Sequence, residues 1–479
     1  MRRIALAVVA VLAPAGSALA QPAFAPAPWL QDLDQLRDAM TASYPNLEWH
    51  AKRGMDLPAV YNRARQRLEN ARTEADARFA LERFIATFGD GHMEIAWPAP
   101  KAASTAQGSG AAPPLCTRLG YFDVGDSGAI ATHLAGYRSV VAPGAVIPAG
   151  VAEVAGRRVG ILRIPLFEPQ GLPALCARLI AQEKLQPDSP CDTACEDRLS
   201  RLADAALIAE MQAGLKALTA AHAQVLLVDI AGNGGGNDSA IALARMVTAK
   251  PLVTPPVGIV RDAGWVKSLE DMQAAVRDGL RTATGAEAQA LRSYDATLTR
   301  ARAEVAKPCD SAPLWTGKPI DCSMIVTGVL YAGGLSPAPP QGASNFPWSE
   351  TVSSTARFPP TAPLWRGPVI VLVDFNSASA SELFAAMLQD QGAAAIIGSP
   401  SFGAGCGHMN ETEPLTLKNS GATVKMPDCL RLRADGTNEL DGIQPDLLIG
   451  LRQRDSLAQR VSRLTRVLPQ AFPLAERRR

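Results

Sequence analysis

Three serines lie in a short polar turn between a predicted buried strand and a predicted helix, and they are the first candidates for chemistry. The apolar run Val369–Val373 predicts the strand, and apolar residues at helical spacing over residues 381–391 predict the helix. Unpaired N–H groups and the positive helix dipole at such a turn suit an oxygen nucleophile and the oxyanion it creates. Ser377, Ser379 and Ser381 are also typical turn and N-cap residues, so the pattern alone leaves both interpretations open.

A glycine-rich turn at residues 231–237 (AGNGGGN) offers a second source of backbone N–H groups. It follows the strand-like run at 224–230 and precedes a helical pattern at 239–247. The turn lacks the G-K-[ST] ending of a P-loop and the spacing of a dinucleotide fingerprint, which argues against a nucleotide site. Because glycine has no Cβ, the backbone here can approach a substrate carbonyl closely.

A histidine-dependent mechanism has few candidates in this chain. There are five histidines: His50, His92, His133, His222 and His408. His92 stands in a glycine-containing turn, residues 88–95 (FGDGHMEI), directly after a predicted helix. The spacing of Cys191 and Cys195 is not C-x-x-C and has no partner cluster, so we expect no metal and no other cofactor.

Composition and the N-terminus indicate an exported protein. A net charge of +1 over 479 residues argues against nucleic acid as a partner. A basic start, an apolar run over residues 4–13 and small residues at 17–20 predict a signal peptide over residues 1–20. No segment is long and apolar enough for stable membrane insertion, so we expect a periplasmic or secreted protein.

The cysteines support the same compartment. Eight cysteines after a signal peptide predict disulfides. Cys309 and Cys322 would close a short loop. Cys406 and Cys429 stand on opposite sides of the turn at residues 419–421, in a predicted hairpin whose main part spans residues 415–432, so these two pairs are favoured.

The positions of the predicted elements divide the chain into four parts. After the signal peptide, residues 21–97 form a helical N-terminal domain, and residues 98–156 form a linker with a small β region. Residues 157–470 alternate strands and helices, with a helical insertion near 264–306. This alternation predicts an α/β fold.

Several stretches in this order resemble the C-terminal processing (tail-specific) peptidases and their relatives, the tricorn core protease and the interphotoreceptor retinoid-binding protein. They are residues 88–95, 159–167 (VGILRIPLF), 228–236 (VDIAGNGGG), 368–405 and 441–446 (DGIQPD). The resemblance implies a crotonase/Clp-like ββα spiral core. It also implies that Ser379 is the nucleophile, with an oxyanion hole formed by the N–H group of Ala380 and that of a glycine within residues 234–236, of which Gly235 is favoured.

The resemblance also bears on the general base. Tail-specific members have a lysine between the glycines of F-G-x-G, where this chain has Ala404. Tricorn-type members use an upstream histidine, which His92 matches, oriented by a glutamate that matches Glu439, with Asp441 as the alternative. The implied set is Ser379, His92 and Glu439, and a histidine base predicts that kcat/KM falls as pH drops through roughly 6–7.

These observations predict an exported serine endopeptidase that forms an acyl-enzyme on Ser379. No PDZ signature is recognisable between His92 and Val159, so we expect oligopeptides or partly unfolded proteins as substrates rather than tagged protein tails. Two alternatives stay open: a catalytically inactive module that binds lipid or peptide, and an esterase or amidase. The chain is also a possible homo-oligomer.

Overall fold

The structure is a computed structural model that describes residues 24–99, 113–125, 128–338, 348–359, 362–410 and 413–478. The predicted signal peptide and residues 100–112 of the predicted linker lie outside these residues. The helices are α1 Ala27–Ser43, α2 Leu47–Lys52, α3 Leu57–Glu69, α4 Glu74–Ala86, α5 Leu115–Arg118, α6 Pro173–Gln182, α7 Thr193–Ala220, α8 Ser239–Met246, α9 Ala263–Gly279, α10 Gly285–Val305, α11 Ser349–Val352, α12 Ala380–Asp390 and α13 Leu457–Arg477. The strands are β1 Glu94–Ala96, β2 Arg138–Ser139, β3 Ala149–Val154, β4 Arg157–Arg163, β5 Val225–Asp229, β6 Pro256–Val260, β7 Ile325–Tyr331, β8 Val369–Val373, β9 Ala395–Gly398, β10 Leu415–Thr416, β11 Thr423–Lys425, β12 Cys429–Arg431 and β13 Leu447–Leu448.

A seven-stranded mixed sheet forms the centre of the fold. Its strand order is β13-β9-β8-β5-β4-β3-β2. The pairs from β4 to β13 are parallel, and β2, β3 and β4 pair antiparallel. Strands β5 and β8 therefore lie side by side, and the glycine-rich turn and the serine turn that follow them emerge at the same edge of the sheet. The predicted α/β class, with its helical N-terminal region, is confirmed.

The central strands β5 and β8 carry apolar residues at successive positions instead of alternating apolar and polar ones, so both of their faces are buried. Successive residues point to opposite faces. Val225 and Leu227 of β5 join the cluster covered by α13, whereas Leu226 and Val228 join the main core. The sheet is thereby held as a layer between helices, which gives the turns at its edge a rigid base.

The N-terminal helices α1 to α4 pack against the core, and the turn that carries His92 follows α4. Asp56 caps α3 by accepting the N–H of Ala59, and Thr73 caps α4 by accepting that of Asp76. The chain then enters β1, which pairs antiparallel with β11. This pairing ties the segment after His92 to a hairpin more than 300 residues later in the chain.

The predicted hairpin over residues 415–432 is shorter in the structure. Strands β10 and β11 pair across the turn at residues 419–421. The predicted second arm continues into β12, but this strand pairs with β6 in a separate three-stranded sheet of order β12-β6-β7. The Pro–Asp step at residues 427–428 separates β11 from β12, since proline has no N–H for a strand ladder.

All eight cysteines form disulfides. The two favoured pairs, Cys309–Cys322 and Cys406–Cys429, are present. The other two disulfides are Cys116–Cys176 and Cys191–Cys195. Four disulfides are typical of proteins outside the cytoplasm. Within the described ranges, no helix has the length and apolar character needed to cross a membrane.

Candidate active site

Ser379 occupies a strained turn between β8 and α12. Its backbone has φ 53° and ψ −113°, a conformation that costs a serine about 1–3 kcal/mol and is usual for nucleophiles on strand-to-helix turns. The other two serines have buried structural bonds: Ser377 Oγ donates to the carbonyl of Ile230, and Ser381 Oγ donates to that of Asn233. Of the three serines, Ser379 lines the cleft, which has a volume of about 1120 Å³.

His92 reaches Ser379 across the cleft. Its Nε2 lies 3.2 Å from Ser379 Oγ, although the two residues are 287 positions apart in the chain. Its Nδ1 lies 2.9 Å from the carbonyl oxygen of Ala404. An N–H on Nδ1 that donates to this carbonyl leaves Nε2 unprotonated and directed at the hydroxyl, which is the tautomer a general base needs. The Asp90 carboxylate accepts the backbone N–H of His92 at 3.0 Å and fixes the turn that carries the ring.

Burial lowers the pKa of His92 to about 4. The hydrogen bond to Ala404 opposes this shift, while the positive charges of Arg431, His408 and Lys425 add to it. The ring is therefore neutral at physiological pH, as a general base must be.

The predicted oxyanion residues lie beside Ser379, but their N–H groups differ in availability. A Cβ on Gly235 would stand 2.8 Å from Ser379 Cβ and 3.0 Å from Ala380 N, so only glycine fits there. The N–H of Gly235 donates to Asn233 Oδ1 at 2.9 Å. Within the described part of the chain, the N–H groups of Ala380 and Gly236 have no hydrogen-bond partner, and Gly236 lines the cleft.

The two predicted carboxylates contact arginines rather than His92. Glu439 is buried and its Oε2 accepts from Arg431 Nε. Burial raises the pKa of Glu439 to about 7, and the attraction of Arg431 opposes that shift. Asp441 accepts from Arg53 at 2.7 Å at the surface. The contact expected between a carboxylate and His92 is made instead by the carbonyl of Ala404, the residue at the lysine position of tail-specific members.

Two charged residues next to the site were missed by the sequence analysis. Glu382 is fully buried and accepts four hydrogen bonds, including one from the N–H of Ser379. A sequence signal existed, because Ser379-x-x-Glu382 has the spacing of a capping box. Arg431 donates to the carbonyls of Ser379 and Gly405, and no local pattern points to it.

The chain belongs to peptidase family S41, whose model matches residues 198–449, more than half of the chain. The resemblance to the C-terminal processing peptidases is thereby confirmed at the level of the family, and the protein is a serine-type peptidase. Ser379 lies inside the matched range, whereas His92 lies outside it.

Solved structures of similar fold support the assignment of architecture. The structure of mature CPAF has a TM-score of 0.56 and 14% identity, covering 94% of this chain and 98% of that one. Mature CPAF complexed with lactacystin has a TM-score of 0.55 and 15% identity, covering 94% and 99%.

Proposed function

We propose that this chain is an exported serine endopeptidase that hydrolyses peptide bonds in oligopeptides or partly unfolded proteins, with Ser379 as nucleophile and His92 as general base. The distance of 3.2 Å between His92 Nε2 and Ser379 Oγ carries the proposal. Two residues so distant in sequence meet at hydrogen-bond distance inside a large cleft. This is the geometry that activates a hydroxyl.

In the first half of the reaction, Ser379 Oγ attacks the scissile carbonyl and its proton passes to His92 Nε2. The carbonyl of Ala404 holds Nδ1–H and keeps the imidazolium oriented. His92 then donates the proton to the leaving amine, and an acyl-enzyme remains on Ser379. In the second half, a water molecule gives a proton to His92 and its oxygen attacks the ester. His92 then returns this proton to Ser379 Oγ as the ester bond breaks, which releases the acid and restores the serine.

The tetrahedral oxyanion needs preorganised N–H donors. We assign this role to Ala380, as the resemblance implies, together with Gly236 in place of Gly235. The N–H of Gly235 already donates to Asn233. Gly235 O and Asn237 N, on either side of Gly236, both bond to the backbone of Phe167, so the N–H of Gly236 is directed away from Phe167.

Export to the periplasm or beyond is supported by the four disulfides and by the signal-like N-terminus. Peptides are the proposed substrates because the cleft is open and large enough for an extended chain. An esterase or amidase would use the same residues, so a panel of peptide, ester and amide substrates separates these activities.

Fluorophosphonate labelling of the mature protein tests the proposal. We expect labelling of the wild type, none of Ser379→Ala, and a loss of at least about 100-fold in rate for His92→Ala. Circular dichroism of each variant should match the wild type, since neither side chain is in the core. A folded wild-type protein that does not react, or a Ser379→Ala variant that still reacts, would refute the assignment and favour a binding module.

A further inference from the structure

Two buried charged residues connect the nucleophile to the loop that orients His92. Glu382 Oε2 accepts the N–H of Ser379 and the N–H of Ala404, each at 2.9 Å. Arg431 donates to the carbonyl of Ser379 and to the carbonyl of Gly405, each at 3.0 Å. One anion thus holds N–H groups on both segments, and one cation holds carbonyls on both.

We infer that Glu382 and Arg431 are positioning residues that together fix Ser379 and the Ala404 carbonyl relative to each other. This inference rests on the function proposed above. Neither residue needs to touch the reacting atoms, because the effect of each passes through the backbone. We call the pair the Glu382–Arg431 clamp.

At Ser379 the clamp holds both peptide groups that define the backbone conformation. The N–H on one side of the Cα is bonded to Glu382, and the C=O on the other side is bonded to Arg431. The angles φ 53° and ψ −113° are set by the orientation of those two groups. A strained conformation persists only where its surroundings enforce it, and these two bonds supply that enforcement.

At the second segment the clamp holds the groups on either side of the Ala404 carbonyl. Glu382 bonds to the N–H of Ala404 and, through Oε1, to the N–H of Gly403 at 2.6 Å. Arg431 bonds to the carbonyl of Gly405. The Ala404 carbonyl lies between these fixed points and is thereby directed at His92 Nδ1.

Burial makes the clamp stiff. Glu382 is 0% exposed, so its hydrogen bonds are not exchanged with water. Arg431 is 6% exposed and is paired with Glu439, which is 1% exposed. The clamp gives Glu439 an indirect role, as the counter-ion that keeps Arg431 in place.

A second pair, formed by one residue of α12 and one that follows β12, provides a control. Asp390, at the other end of α12 from Glu382, accepts from Arg433, which follows Arg431 by two residues. Asp390 also accepts a backbone N–H, that of Ala434. This pair is partly buried, whereas the clamp is buried, and its bonds reach neither Ser379 nor the loop at residues 401–405.

The test compares Glu382→Gln and Arg431→Lys with Asp390→Asn and Arg433→Lys. For each variant, the fluorophosphonate labelling rate is measured per folded molecule, well below its unfolding temperature. We expect the clamp variants to react on the order of 100-fold more slowly, because small displacements of reacting groups cost that much, and the control variants to react at the wild-type rate. For Glu382→Gln, which does not line the cleft, the maximal rate should fall without a change in the half-saturating probe concentration.

The outcomes separate this inference from the proposed function. If the wild type is not labelled at Ser379, the proposed function fails. If the wild type is labelled, and the folded clamp variants react as fast as the control variants, the clamp alone is refuted. If Glu382→Gln does not fold, the labelling rate of Arg431→Lys compared with that of Arg433→Lys tests the clamp.

Discussion

The rate at which Ser379 reacts with a fluorophosphonate should stay nearly constant from pH 8 down to about pH 5, because burial lowers the pKa of His92 to about 4. At pH 5 a histidine with this pKa is roughly 90% neutral, whereas one with the ordinary pKa of about 6.5 is roughly 3% neutral. The two cases differ about 30-fold in active enzyme at that pH. The sequence alone predicted a fall through roughly pH 6–7; the structure moves the fall to lower pH.

The assay is the fluorophosphonate labelling rate between about pH 3.5 and 8, with circular dichroism at each pH to confirm that the protein stays folded. Burial raises the pKa of Asp90, which accepts the N–H of His92, to about 6, and that of Glu439, which bonds to Arg431, to about 7. The labelling rates of the Asp90→Asn and Glu439→Gln variants are therefore measured alongside that of the wild type. A fall with a midpoint between roughly 6 and 7 that persists in both variants would refute the reasoning about His92.

The lowered pKa of His92 also makes the free energy of unfolding depend on pH. The pKa of His92 is lower in the folded than in the unfolded chain, so the unfolded chain binds more protons between about pH 6.5 and 4, and stability falls as pH decreases through that window. A difference of about 2.5 pKa units corresponds to about 3 kcal/mol. His92→Gln, which cannot be protonated there, should lose less stability than the wild type between pH 7 and 4; equal losses in urea titrations would contradict this.

Three further variants test the frame around the site. Gly235→Ala should abolish labelling while the protein still folds, because its Cβ would stand 2.8 Å from Ser379 Cβ; a reactive variant would refute this close packing. Replacing Cys406 and Cys429 by serine should lower the free energy of unfolding by about 3 kcal/mol and slow labelling, since the disulfide closes 23 residues beside the cleft; an unchanged urea midpoint would count against it. Asp229→Asn should cost about 3 kcal/mol, because this buried carboxylate accepts three backbone N–H groups, and an equally stable variant would contradict that role.

Local features of the site were predictable from the sequence. The apolar run Val369–Val373 is a strand, and the helical pattern that follows is α12, because both depend on residues within one window of chain. The disulfides Cys309–Cys322 and Cys406–Cys429 were identified because their cysteines are 13 and 23 residues apart and flank evident turns. Cys116–Cys176 spans 60 residues without such a signal.

Local sequence patterns do not distinguish the three serines of the turn between β8 and α12. All three serines suit a turn, and the pattern does not say which one faces the cleft. The resemblance selected Ser379, and the structure places it in the cleft while Ser377 and Ser381 have buried partners. The difference comes from the neighbouring segment, because the carbonyls that hold those two side chains belong to Ile230, directly after β5, and to Asn233 in the glycine-rich turn.

The sequence by itself determined the elements, the two local disulfides and the types of residue available for catalysis, because periodicity, turn chemistry and short loops act within a few residues. The tertiary structure decided which groups meet: His92 with Ser379, and the Ala404 carbonyl rather than Glu439 with His92. It also decided the low pKa of His92. These properties depend on burial and on contacts between segments hundreds of residues apart, and neither leaves a periodic signal along the chain.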